Sequence, residues 1–129
     1  MKTGLQVRRI EHRRGDAAVL AVSGELDVAT AEILGDAVDA AVNSGHRTVI
    51  LDCGRLTLCD SHGLDLLLGL RTRLHALQGD LVLAAVHPVV RHLLEVSATA
   101  QIFTQYAGRD EALHQLSQAH VPRSAPHPG

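Results

Sequence analysis

The chain has 129 residues, with 12 Lys and Arg against 14 Asp and Glu, a formal net charge of −2 and a pI of about 6.5. That is one domain's length, enough to bury a real core, and the charge balance makes no global case for binding nucleic acid. Phe103 and Tyr106 are the aromatic residues, so stacking platforms for bases or sugars are excluded and the core must come from Leu, Val, Ala and Ile.

Cys53 and Cys59 fit free thiols in a reducing cytoplasm better than a disulfide framework. The N-terminus carries no apolar signal core, and no apolar run is long enough to span a bilayer, so a soluble cytoplasmic protein is expected.

Residues Leu5 to Ile10 alternate apolar with polar or basic, the pattern of an edge strand with one wet face. Arg13-Arg14-Gly15-Asp16 reads as a turn, and Ala17 to Val22 as a more apolar strand ending at Ser23-Gly24, which together make a hairpin. After Asp27 the period changes. Ile33, Leu34, Ala37, Val38, Ala41 and Val42 form the stripe of an amphipathic helix, with Asp27 as its cap and Gly45 as its stop. Thr48 to Leu51 is a short buried strand, followed by a turn through Asp52 to Leu58.

A helix then runs from Ser61, with Leu64, Leu67, Leu68, Leu74 and Leu77 at helical spacing, and ends near Gln78-Gly79-Asp80. Leu81 to Val86 is continuous and apolar, an interior strand. Pro88 opens a short helix over about Val89 to Val96. Gln101 to Tyr106 is a last short strand, and Asp110 to Gln118 a closing helix with Ala112, Leu113 and Leu116 facing inward. The order β-β-α-β-α-β-α-β-α predicts an α/β fold: a mixed sheet of four to five strands opened by a hairpin, with about four helices packed mainly on one face. The domain is expected over residues 1–119, with 120–129, rich in proline and without period, as a disordered tail.

Ser61 stands where a buried strand hands over to a buried helix. A hydroxyl there lies near unpaired backbone N–H groups and the positive end of the helix dipole, which suits a cap and equally suits an added phosphate. On local sequence alone, capping by Asp60 or Ser61, contributing about 1 kcal/mol, accounts for the pattern.

Catalysis does not fit. Asp60, Ser61 and His62 are chain neighbours, whereas a triad converges from separate segments, and Cys59 stands where a nucleophile elbow needs Gly. His87 and His92 are five apart, and Cys53 and Cys59 six apart, so neither pair has metal-ligand spacing. Gly54 and Gly63 belong to no nucleotide fingerprint, so no cofactor is expected. Arg8-Arg9 and Arg13-Arg14 read as a solvated hairpin face able to steer an acidic partner.

The stretch Asp60-Ser61-His62-Gly63-Leu64, after a buried strand and before an apolar helix, resembles the STAS domain, the fold of the bacterial anti-anti-sigma factors (anti-sigma factor antagonists). Gly24-Glu25-Leu26-Asp27 matches a second motif of that family, Gly-x-Leu-Asp, at the usual separation, and the resemblance covers roughly residues 5 to 118. It implies a non-enzymatic regulator of transcription in which the unphosphorylated protein binds an anti-sigma factor of the serine-kinase type and frees the sigma factor. Phosphorylation at Ser61 would switch that binding off, and a serine phosphatase would restore it. Asp27, Asp60, Ser61, His62 and Gly63 are the implied partner-binding residues, with no catalytic or metal site, no direct nucleic-acid contact and no membrane contact.

The chain departs from the family pattern at His62, where Ser or Thr is usual, at Asp65, where a small or apolar residue is commoner, and at Ser97-Ala98-Thr99. Two further readings stand beside this one. The first is a STAS docking subunit of a membrane lipid-transport ATPase, which needs no phosphorylation. The second is a small enzyme using Cys59 or Ser61.

Overall fold

The computed structural model describes residues 4–120. Its elements, in order, are β1 (Leu5–Ile10), β2 (Ala18–Leu26), α1 (Ala31–Asn43), β3 (Thr48–Cys59), α2 (Ser61–Ala76), β4 (Asp80–Ala84), α3 (Pro88–Val96), β5 (Thr104–Tyr106) and α4 (Arg109–His120). The five strands lie side by side in chain order. β1 and β2 form the antiparallel hairpin, and every later neighbour pair is parallel. The tail expected over 120–129 lies outside the described residues except for His120, which ends α4.

Each parallel step is bridged by one helix, and right-handed crossovers running in one direction along a sheet deliver their helices to the same face. Leu34, Val38 and Ala41 of α1, Leu64, Leu67, Leu70 and Leu74 of α2, and Val90 and Leu94 of α3 accordingly share one core with Leu20, Val22, Leu51 and Leu83 of the sheet. α4 returns across the opposite face, where Ala112 and Leu113 cover Val19, Ile50 and Val82.

The largest departure from expectation is β3. It does not turn after Leu51 but runs for 12 residues to Cys59. Opposite β2 it slips register twice, between Ala21 and Ser23 and between Gly24 and Glu25, each slip adding one residue to β3. Its buried positions therefore become Cys53, Leu56 and Cys59, a spacing of three that hides the strand's alternation. β2 is longer too, reaching Leu26 rather than stopping at Ser23-Gly24.

Smaller shifts follow local packing. α2 ends at Ala76, one turn short of expectation, and Leu70 replaces the exposed Leu77 in its buried stripe. β4 stops at Ala84 rather than Val86, and β5 begins at Thr104 rather than Gln101. Pro88 does open α3, and the His87 imidazole accepts a hydrogen bond from Val89 N–H at 3.2 Å, so this histidine works as a cap.

Candidate functional site

The ends of β2 and β3 lie together, with Leu26 paired to Cys59. One residue on, Asp60 N–H donates to the Leu26 carbonyl at 3.2 Å. This bond ties the two loops that carry Asp27 and Ser61 into one surface at the C-terminal edge of the parallel strands.

Asp60 is the N-cap of α2. Its backbone is extended and its Oδ1 accepts from Gly63 N–H at 2.9 Å, satisfying one of the helix's orphan donors. The second carboxylate oxygen lies 4.0 Å from His62 Nδ1, near enough for attraction when the imidazole is protonated. Ser61 is the first helical residue and is exposed, as are His62 and Asp65. The N–H groups of Ser61 and His62 precede any intrahelical acceptor, so the hydroxyl sits over a donor-rich helix end.

Gly63 faces inward. A Cβ at this position would lie 2.8 Å from the Leu26 carbonyl and 2.9 Å from Cys59 Sγ and Leu26 Cγ. The backbone it brings close is therefore that of β2, and Gly63 serves the surface by letting α2 start flush against that strand. Gly24, in the other motif, has φ of +108°, and a Cβ there would meet the Gly4 carbonyl at 2.0 Å. Both glycines are required by packing.

Asp27 is not the N-cap of α1, which is Thr30. Asp27 holds the turn in front of it instead, its Oδ1 accepting from Ala29 N–H at 3.0 Å and Thr30 N–H at 3.1 Å. Thr30 returns the favour from a buried position. Its hydroxyl oxygen accepts from Asp27 N–H at 3.0 Å and its O–H donates to the Glu25 carbonyl at 2.8 Å. The helix begins after this four-residue turn because Ala31 N–H donates to the Asp27 carbonyl at 2.8 Å.

Sequence reasoning missed the apolar members of this surface. Val28, beside Asp27, is 68% exposed, and Leu58, three residues before Ser61, is 40% exposed. Val28 was legible as an apolar residue in a polar turn. Leu58 was not, because its strand was not recognised.

The thiols are poor nucleophiles. Burial, followed by the charge of Asp60, pushes Cys59 up to about 12. Burial, then Asp52 and Cys59, pushes Cys53 up to about 12. Both are free and buried. Among the described residues no group of His, Cys, Asp and Glu is arranged to hold a metal ion, and no helix is long and apolar enough to cross a membrane.

Comparison with known proteins bears on the family. The family model described as "Mlab, STAS domain" matches residues 11–104. The provisionally named anti-sigma factor antagonist BtrV of Bordetella bronchiseptica is 36% identical over 105 residues, covering 81% of this chain and 90% of that one. An anti-sigma F factor antagonist of Paenibacillus polymyxa is 30% identical over 108 residues, covering 83% and 92%. Among solved structures, the anti-sigma factor antagonist SpoIIAA in its unphosphorylated form superposes with a TM-score of 0.74 at 26% identity, over 88% of this chain and 97% of that one. Its phosphorylated form superposes at 0.67, also at 26% identity, over 86% and 99%. With a family model spanning most of the sheet and relatives alike over nearly their whole lengths, the chain belongs to the STAS domain family.

Proposed function

We propose that the chain is an anti-sigma factor antagonist whose docking surface is switched by phosphorylation at Ser61. The observation that carries this reading is the placement of Ser61. Its hydroxyl is exposed on the first turn of α2, beside the loop of Asp27, with Val28 and Leu58 available for contact. The names of the two relatives and the two solved forms of SpoIIAA support it.

In the unmodified state the surface of Asp27, Asp60, Ser61 and His62 docks onto an anti-sigma factor that is also a serine kinase, and the sigma factor is released. Asp27 offers its carboxylate to a basic group of that kinase. Phosphorylation adds about −1.5 to −2 charge at the centre of the contact. The helix end tolerates the phosphate, since its backbone N–H groups face it. The partner does not, because Asp60 and Asp65 already place negative charge there and a buried, unpaired charge is costly. Partner exchange needs little, as about 1.4 kcal/mol is tenfold in affinity. A serine phosphatase resets the protein, and Ser61 is throughout a substrate residue.

The test is co-purification with the kinase from the protein's own cells. Ser61→Ala retains the partner, and Ser61→Asp loses it by tenfold or more. Equal retention by both variants would defeat the switch.

A second reading, which a STAS domain accommodates equally, is a docking subunit of a membrane lipid-transport ATPase without a phospho-switch. On that reading an ABC-type ATPase co-purifies with both variants alike.

A further inference from the structure

The hairpin's arginines do not form the single basic cluster that their adjacency suggests. Arg9 meets His46 at 2.7 Å and Arg14 pairs with Asp110 at 3.0 Å, each held by a different partner. Arg8 faces the other way, toward the side of the sheet that carries α4.

That side changes character halfway along the strands. At one end Ile10, Val19 and Ile50 lie under α4. At the other end α4 reaches the sheet only through its first residue, Arg109, and the rows read Arg8, Ala21, Asp52 and Gln6, Ser23, Arg55 across β1, β2 and β3. Ala21 and Ser23 are short, so β2 forms the floor of a trough of about 850 Å³, walled by Arg8, Arg55 and Arg109.

Three guanidinium groups face one carboxylate there. Arg109 is bonded to Asp52 at 3.2 Å, and the other Asp52 oxygen accepts from Gly54 N–H at 3.1 Å. Arg8 and Arg55 are exposed, and among the described residues their guanidinium groups have no hydrogen-bond or ion-pair partner. In a chain of net charge −2 this is a local excess of positive charge over small, polar side chains.

We propose that this trough docks an acidic segment of a partner protein, through carboxylates that pair with Arg8 and Arg55. The two arginines stand two strand spacings apart and two residues out of row along the strands, roughly 12 Å at their backbones. An extended segment rises about 3.3 Å per residue and turns alternate side chains to one face, so acidic side chains four residues apart, about 13 Å, meet both. Guanidinium forks suit carboxylates in two-bond geometry. A single small anion would have to draw both side chains inward. The trough lies on the α4 face, apart from the Ser61 loop, and the proposal does not depend on the reading of that loop.

The experiment is a titration of the isotope-labelled full chain with a decaglutamate peptide, followed by amide NMR shifts. Binding should perturb Gln6, Arg8, Ala21, Ser23, Asp52, Arg55 and Arg109, weaken as salt rises, and fall at least tenfold in the Arg8→Gln and Arg55→Gln double variant. Arg47→Glu, at the opposite end of the sheet, should bind as the parent does. The spectra report directly whether each variant is folded. Absence of binding, shifts centred on Ser61 or on Arg14 and Arg47, or inorganic phosphate producing the same shifts at lower concentration would each overturn the proposal.

Discussion

At the level of single residues, the site is held by atoms that offer little slack. Gly63 has no room for a methyl group between Leu26 and Cys59. Gly63→Ala should therefore cost roughly 1–3 kcal/mol, as overpacking does, measured by urea denaturation, and should lift the start of α2 away from β2. Thr30 joins Glu25 and Asp27 through one buried hydroxyl. Thr30→Val keeps the shape but leaves a carbonyl and an N–H unpaired, and about 1–3 kcal/mol should be lost in the same assay. The two thiols give a pH signature. In the unfolded chain they ionise near 9.0, whereas in the folded protein burial holds their protons up to about 12. Between those values the unfolded state binds fewer protons, so stability should fall as pH rises above about 9. Replacing both cysteines by alanine should flatten that fall.

At the level of elements, α2 is fixed by one stripe of leucines. Leu67 is 1% exposed, so Leu67→Ala should cost about 2–5 kcal/mol in denaturation experiments, while Leu77→Ala, beyond the helix end, should stay near the parent. This stripe was legible in the sequence because leucines at helical spacing survive any choice of boundaries. So were the hairpin, α1 and the apolar cores of β3 and β4. The second half of β3 was not. Asp52, Gly54, Arg55 and Thr57 look like a turn, and only their pairing with β2 across two bulges makes them strand. Asp27 was misread for a related reason. A carboxylate before a helix has the same sequence signature whether it caps the helix or holds the turn ahead of it.

At the level of the whole molecule, the sheet displays two separate polar surfaces. One gathers the Asp27 and Ser61 loops at the ends of β2 and β3, and the other opens beside α4. The first was legible because its residues sit in two short motifs, each next to a strongly apolar element. The second was not, since Arg8, Arg55 and Arg109 come from β1, β3 and α4 and only the fold assembles them. A phosphate on Ser61 changes charge at an exposed helix end and touches no core residue. Phosphorylation should thus leave the fold standing while it removes the partner.

The most direct test of the central claim is intact-mass and site-mapping analysis of the protein taken from its native cells, before and after treatment with a serine phosphatase. The account predicts one phosphate, on Ser61, removed by the phosphatase and absent from Ser61→Ala. Protein that never carries phosphate there, under conditions in which it still co-purifies with an ATPase, would contradict it.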